Sequence, residues 1–145
     1  YDSGETTDYT VKILGQNCPN LKSLYLNCCS NYGEEGLWWL LKTATHLERL
    51  EVSNNHKING NCFRLLAPTL RSLDISNCPK IKEKGFKELI SGQNRDSLKS
   101  LTITPCNSKL MEMICLNLKN LTTLRVSTYP SSDAQTSYTL YMQCL

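Results

Sequence analysis

The stretch from Leu70 to Cys78 reads LRSLDISNC, and its apolar residues follow the pattern Leu-x-x-Leu-x-Φ, where Φ is Leu, Val or Ile. The last two apolar positions alternate with a polar residue, and a period of two is typical of a short strand with one buried face. Four other segments carry the same pattern without gaps: Leu21–Cys29 (LKSLYLNCC), Leu47–Asn55 (LERLEVSNN), Leu98–Cys106 (LKSLTITPC) and Leu121–Tyr129 (LTTLRVSTY). The chain is therefore built from internal repeats, each of which begins with a predicted strand.

Apolar residues between the predicted strands recur at helical spacing. The segments start 26, 23, 28 and 23 residues apart, which leaves room for a helix after each of the first four strands. The residues that indicate these helices are Leu37, Leu40 and Leu41; Phe63 and Leu66; Phe86, Leu89 and Ile90; and Leu110, Met113 and Ile114. Helices between consecutive strands favour a parallel sheet whose stability comes from stacking of the repeats.

The repeat pattern also predicts the organisation of the chain. Val11 and Leu14 indicate a helix ahead of the first strand, so we expect the chain to open inside an earlier repeat and to be a fragment of a longer array. A repeat domain is predicted over residues 1–129, followed by a C-terminal tail over residues 130–145. Within the tail, residues 137–142 predict either an edge strand or a loose segment.

Residues 70–89 (LRSLDISNCPKIKEKGFKEL) resemble the cysteine-containing class of leucine-rich repeats, which read C-x-x-L-x-x-L-x-L-x-x-C-x-x-I-T-D-x-G-L-x-x-L. The first repeat matches as well, with Cys18 and Cys29 at the two cysteine positions, whereas Asn55 and Tyr129 replace the cysteine in the second and fifth repeats. The resemblance implies an α/β leucine-rich-repeat solenoid in the shape of a horseshoe arc. About five parallel strands would form its concave face, and helices its convex face.

Within this class the chain is similar to F-box leucine-rich-repeat proteins, the substrate receptors of SCF-type ubiquitin ligases. The resemblance implies a non-enzymatic cytoplasmic or nuclear protein that recognises a substrate for ubiquitin-dependent degradation. No segment of the chain looks like an F-box, so a ligase adaptor is an expected partner only if an F-box lies outside this chain. Two alternatives stay open: a leucine-rich-repeat adaptor or scaffold without an F-box, and a secreted or cell-surface recognition module whose cysteines form disulfides.

The cysteines and histidines show no pattern of a metal site. The eight cysteines lack C-x2-C spacing and the two histidines lack H-x3-H spacing, so no metal is predicted. One register position, three residues beyond the last apolar residue of each strand, is occupied by Cys29, Asn55, Cys78 and Cys106. A position that accepts both Asn and Cys indicates a buried structural role. Nucleotide-binding and hydrolase motifs are absent as well, which predicts a protein that is not an enzyme and needs no cofactor.

The composition argues against two other classes of partner. The net charge is only +3, and the densest basic run, residues 80–87 (KIKEKGFK), is interrupted by an acidic residue. A nucleic-acid interface would cluster its cations among aromatic residues, so no nucleic-acid partner is predicted. No apolar run approaches the roughly 18 residues that a membrane span requires, so no membrane partner is predicted.

A protein partner is predicted on the concave face, where polar strand positions alternate with buried ones. The central position of each strand and its polar neighbour supply Tyr25, Arg49, Glu51, Asp74, Thr102 and Arg125. Small Ser and Thr residues flank this row and would leave room for the backbone of a partner. We expect the partner to place a basic residue opposite Glu51 and Asp74.

Trp38 and Trp39 mark a second candidate contact on the convex side. They align with Lys87 and Glu88, which are predicted to face solvent on their own helix. Exposed aromatic side chains are enriched at protein interfaces. Because the helix can also rotate and bury one ring against its neighbour, we expect one ring to be buried and the other to be available for contact.

Overall fold

A six-stranded sheet organises the protein. The computed structural model describes residues 6–104 and 106–127, together with the backbone of residues 137–141. Five parallel strands lie side by side in chain order: β1 (Ser23–Tyr25), β2 (Arg49–Glu51), β3 (Ser72–Asp74), β4 (Ser100–Ile103) and β5 (Thr123–Ser127). The predicted α/β class and its parallel sheet are confirmed.

The C-terminal tail contributes one strand to the same sheet. β6 (Ser137–Tyr141) pairs antiparallel with β5, which agrees with the edge strand predicted for this segment. The remainder of the predicted tail and Tyr129, the cysteine replacement of the fifth repeat, lie outside the described residues.

The second leucine of every repeat segment falls in one row across the sheet. Strand pairing aligns Leu24, Leu50, Leu73, Leu101 and Leu124. The four beyond Leu24 are at most 1% exposed, and burial of each leucine side chain stabilises the fold by about 1.5–3 kcal/mol. A slip of one residue between neighbouring strands would move these leucines to the exposed face, so the row fixes the register of the repeats.

In the part of the chain that the structure describes, four α-helices pack around this core: α1 (Asp8–Asn17), α2 (Glu34–Thr43), α3 (Glu83–Ser91) and α4 (Ser108–Asn117). At the start of α1, Thr7 and Thr10 exchange side-chain hydrogen bonds in a capping box. At the start of α4, the side-chain oxygen of Asn107 accepts a hydrogen bond from the Leu110 N–H at 2.9 Å. Both caps satisfy N–H groups that the first helical turn leaves unpaired.

The connection after β2 differs from the prediction. Phe63 and Leu66 indicated a helix at this point, but the structure has only a short 3-10 helix, Phe63–Leu65. Glu34 fixes the backbone of the preceding loop, because its carboxylate accepts hydrogen bonds from the N–H groups of residues 59, 60 and 62 at 3.0, 3.1 and 2.7 Å. Pro68 then prevents extension, because proline lacks an N–H and disfavours helical backbone in the residue before it. A second 3-10 helix, Gln93–Asp96, precedes β4.

Acidic side chains tie each early repeat to the next. Asp8 Oδ1 accepts hydrogen bonds from the N–H groups of Gly33 and Gly36 at 2.8 and 3.0 Å, and so caps α2 from the preceding helix. Gly33 has no side chain with which to make this cap. One repeat later, Glu34 makes the equivalent bonds, at the same separations in sequence.

The shared cysteine and asparagine position lies inside the turn that leaves each strand. Asn55 is 0% exposed. Its Nδ2 donates to the carbonyls of Cys29 and Tyr32 at 3.1 and 3.0 Å, and its Oδ1 accepts from the N–H groups of Lys57 and Ile58 at 2.8 and 3.0 Å. Asn55 therefore holds together the turns of two repeats.

A cysteine at this position has one thiol in place of an amide with two donor hydrogens and an acceptor oxygen. The Cys78 thiol donates to the Val52 carbonyl at 3.2 Å. Cys29 and Cys78 are 6% and 3% exposed, and Cys106 is half-buried. Here the thiol acts as a small buried group with weak donor strength.

The residue before this position adopts a left-handed backbone in the first three repeats. Cys28, Asn54 and Asn77 have φ of 60°, 59° and 53°. Asn tolerates this region better than other side chains, which explains its use at two of the three positions. The three side chains also form a ladder, since Asn77 Nδ2 donates to Asn54 Oδ1 and Asn54 Nδ2 to Cys28 Sγ.

Candidate functional site

The predicted central row is a real alignment of side chains across the sheet. Strand pairing joins Tyr25 to Glu51, Glu51 to Asp74, Asp74 to Thr102, and Thr102 to Arg125. Tyr25 is 54% exposed at one end of the row, and Arg125 is exposed at the other. Arg49 belongs to the adjacent row, beside Ser23 and Ser72. We name the exposed side of these strands the strand face.

The two acids of the central row are held by neighbouring side chains. Asn27 Nδ2 donates to Glu51 Oε2 at 2.6 Å. Asp74 Oδ1 accepts from the backbone N–H and the hydroxyl of Ser76 at 2.9 and 2.6 Å. The second oxygen of each carboxylate makes no hydrogen bond within the described ranges, so both acids keep capacity to bind a partner.

One flank of this row is closed at the second and third repeats, contrary to expectation. The small Ser and Thr residues beside the row were predicted to leave room for the backbone of a partner, but two of them, Ser53 and Ser76, are only 6% and 8% exposed. The Ser53 hydroxyl donates to Asn27 Oδ1 at 2.9 Å, while Ser76 is bonded to Asp74. Both hydroxyls are therefore already bonded to Asn27 or Asp74, so at these two repeats the more accessible flank is the one at the start of the strands.

A groove of about 410 Å³ lies at the start of β2, β3 and β4. We name it the strand-start groove; it is lined by Tyr25, Glu48, Arg49, Glu51, Arg71, Ser72, Lys99 and Ser100. Arg49, Arg71 and Lys99 are exposed, and none of the three forms an ion pair with another described residue. Sequence reasoning included Arg49 and missed the other two, which lie one residue before their strands.

The tryptophans form a basic and aromatic cluster at α2. The Trp38 and Trp39 ring centroids are 4.8 Å apart in an edge-to-face arrangement. Lys42 Nζ lies 4.7 Å from the Trp38 ring, and Lys12 Nζ lies 4.3 Å from the Trp39 ring, so both rings make cation–π contacts. Trp38 is 37% exposed and Trp39 is half-buried. Neither ring is fully buried, and a contact role for the pair stays a prediction.

A cavity of about 400 Å³ separates the third and fourth repeats. In the first three repeats an apolar side chain three residues beyond the shared position is buried: Tyr32, Ile58 and Ile81. The corresponding residue of the fourth repeat is the exposed Lys109. Because no apolar side chain comes from that position, the space beside Ile81 and Phe86 is left unfilled.

Burial favours the protonated form of three interior groups, Tyr32, Cys62 and Cys78. It raises the pKa of Cys78 to about 11, and it raises the pKa values of Tyr32 and Cys62 well above their ordinary range. The Tyr32 hydroxyl donates to the Leu26 carbonyl at 3.2 Å. A thiol that stays protonated is a poor nucleophile and a poor metal ligand. No group of three or more His, Cys, Asp or Glu side chains suited to a metal occurs in the described ranges.

No protein-family model matches the chain, and no solved structure matches it. Over 118 residues the chain is 26% identical to a Caenorhabditis elegans protein named "Putative RNA-binding protein EEED8.10". The match covers 79% of this chain and 16% of the relative, so the chain spans about a sixth of the length of the relative. Among the described residues, no helix has the length and apolar character required to cross a bilayer.

The prediction that the chain has no nucleic-acid partner is wrong. It is overturned by this similarity to a protein named for RNA binding. The exclusion relied on a net charge of +3 and on cations spread along the sequence. Folding gathers three of those cations, Arg49, Arg71 and Lys99, around one groove beside Tyr25, and an average over the whole chain does not detect such a grouping.

Proposed function

We propose that the chain is a non-enzymatic, repeat-built binding module that recognises a protein segment on its strand face. The observation that carries this proposal is the continuous row from Tyr25 to Arg125, which presents polar and charged side chains across five parallel strands. The leucine at the preceding position of each strand is buried in the core or, in the case of Leu24, packs against it. One side of every strand is thus committed to stability, and the other side is available for recognition.

At the level of the fold, we propose that the repeats form a leucine-rich-repeat solenoid, with the strand face on its concave side and the helices on its convex side. Five gapless segments and strands that follow chain order support this architecture. The buried Asn or Cys in the turn after the strand supports it as well.

We further propose, on the resemblance to F-box leucine-rich-repeat proteins, that the chain is the substrate-recognition part of an SCF-type ubiquitin ligase in the cytoplasm or nucleus. The test is affinity capture of the full-length protein, which is expected to bring the ligase adaptor and cullin with it. Capture without either component would leave an adaptor or scaffold without an F-box. Paired cysteines in a thiol titration would favour a secreted or cell-surface module.

Charge reversal tests recognition by the strand face. In Glu51→Lys/Asp74→Lys, both acids of the central row are inverted, and a partner that places a basic residue there is repelled. A matched control is Glu35→Lys/Glu112→Lys, which makes the same change in net charge at two exposed helix positions. Loss of captured partners with the first variant and retention with the second supports the proposal. Equal recovery with both variants contradicts it.

A second candidate function is binding of single-stranded RNA, and the C. elegans relative favours it. The strand-start groove offers the required chemistry, because Tyr25 provides an exposed ring for stacking and Arg49, Arg71 and Lys99 provide cations for phosphates. The test is fluorescence anisotropy with a labelled twelve-nucleotide oligouridylate at increasing salt. Binding that weakens with salt and with Tyr25→Ala supports this function, and absence of binding at low salt rejects it.

A further inference from the structure

The charges on the strand face are sorted along the direction of the strands. Arg71 and Lys99 immediately precede β3 and β4, and Arg49 begins β2. The acids Glu51 and Asp74 lie at the ends of β2 and β3. Arg49 and Glu51 are two residues apart in one strand, which corresponds to about 6.6 Å. Cations therefore predominate at the starts of β2, β3 and β4, where Glu48 alone interrupts the row that it shares with Arg71 and Lys99. We name these cations the basic band, and Glu51 and Asp74 the acidic band.

The basic band rests on a regular backbone. The Glu48 carbonyl accepts the N–H groups of Arg71 and Ser72 at 2.8 and 3.0 Å, and the Arg71 carbonyl accepts those of Lys99 and Ser100, both at 2.9 Å. These paired bonds fix the residue that precedes each strand. Neighbouring strands are about 4.8 Å apart, so the Arg71 and Lys99 side chains start from adjacent positions above one groove. The hydroxyls of Ser72 and Ser100 line the same groove and add donors.

We propose that the strand-start groove binds an acidic side chain of a protein partner, in a segment whose next charged residue is basic and reaches Glu51 and Asp74. This inference rests on the proposed protein-binding function and specifies the charge pattern of the partner. Arg71 provides a planar fork for a carboxylate, and Lys99 provides a second cation beside it. The acids beyond them bind the basic residue that follows along the extended segment.

The acids within the groove favour a protein segment over RNA. Glu48 and Glu51 line the groove together with the three cations. Every nucleotide of an RNA strand carries a phosphate, so a strand crossing the face would bring phosphates against Glu51 and Asp74 as well as against the cations. A segment with alternating charges satisfies both bands and avoids this repulsion.

Direct binding measurements on the 145-residue chain test the inference. Three fluorescein-labelled probes are compared by anisotropy at low salt: the alternating peptide (Glu-Gly-Lys-Gly)3, the basic peptide (Lys-Gly-Lys-Gly)3 and a twelve-nucleotide oligouridylate. The variant Arg71→Gln/Lys99→Gln removes two cations of the groove. The control Lys80→Gln/Lys84→Gln removes two exposed cations outside it. We expect the groove variant to bind the alternating peptide about fivefold to tenfold more weakly, and the control to bind it with unchanged affinity.

The outcomes separate failure of this inference from failure of the proposed function. One outcome is that the basic peptide binds through Glu51 and Asp74 while the groove variant binds the alternating peptide with unchanged affinity. In that case the acidic band recognises a partner, and the groove inference is overturned. Absence of binding by the alternating peptide also overturns it. If the oligouridylate binds more tightly than both peptides and depends on Arg71 and Lys99, the groove is an RNA site, and the protein-partner inference is again overturned.

Discussion

The side-chain amide of Asn27 holds the carboxylate of Glu51, with Asn27 Nδ2 2.6 Å from Glu51 Oε2. Asn27 Oδ1 also accepts hydrogen bonds from the N–H and the hydroxyl of Ser53, at 3.3 and 2.9 Å. A single amide from the first repeat thus orders an acid and a buried serine of the second. The arrangement of the strand face is therefore coupled to the stacking of the repeats.

We predict that Asn27→Ala lowers the free energy of unfolding by about 1–3 kcal/mol, because it leaves the buried Ser53 groups without their acceptor. Urea denaturation followed by circular dichroism measures this change. The control is Asn20→Ala, at an exposed turn residue with no side-chain hydrogen bond among the described residues. A loss in the control as large as in Asn27→Ala would contradict the assignment.

We predict that Asn55 and Cys78 tolerate exchange unequally, although they share one register position. Asn55→Cys removes partners from two N–H groups and two carbonyls, and should cost about 2–4 kcal/mol. Cys78→Asn inserts an amide where the Ile81 N–H already donates to the Cys78 carbonyl at 3.1 Å, and should cost less, about 1–2 kcal/mol. Urea denaturation of both variants gives the comparison. Losses of equal size in the two variants would contradict the prediction.

The sequence predicted the elements that depend on apolar periodicity. The Leu-x-x-Leu-x-Φ segments located five strands and aligned their central residues, because the buried leucine row allows only one register. The prediction of a helix after β2 was wrong. The spacing of apolar residues does not reveal that the Glu34 carboxylate accepts hydrogen bonds from the backbone of the loop after β2. Apolar spacing reports burial and does not report which polar group satisfies the backbone.

The candidate site was predicted in part for a related reason. The alternating pattern identified the central row but treated Ser53 and Ser76 as open positions, although both are bonded to polar neighbours. Arg71 and Lys99 fell between the two leucines of their segments, outside the alternation. The sequence did contain a signal for the hydrogen bonds that Asp8 and Glu34 make between repeats. Each acid lies about one repeat length before the backbone N–H groups that it binds.

We predict that Gly36→Ala destabilises the packing of α1 on α2. An added Cβ at Gly36 would lie 2.6 Å from Asp8 Oδ1 and 2.8 Å from Asp8 Cα. Overpacking against backbone costs about 1–3 kcal/mol, which exceeds the gain of up to about 1 kcal/mol in helix propensity. Thermal unfolding measures the difference. Gly33→Ala is the comparison, because its Cβ would meet only the Lys57 side chain, at 3.0 Å, and a loss at Gly33 equal to that at Gly36 would contradict the prediction.

We predict that the fold loses stability in alkaline solution and that Cys78 carries a measurable share of the loss. Burial raises the pKa of Cys78 from 9.0 to about 11 in the folded protein. Between these values the unfolded chain releases the thiol proton while the folded chain retains it, so the free energy of unfolding falls as pH rises. Below about pH 9 the contribution is fully present, and by pH 11 roughly 2–3 kcal/mol is lost.

The variant Cys78→Ser keeps a similar shape without a titrating thiol in this range, and urea denaturation from pH 8 to 11 should show that its free energy of unfolding declines less steeply. Tyr32 and Cys62 remain in both proteins, so the difference between the two curves isolates Cys78. Parallel curves would show that this thiol does not link ionisation to folding.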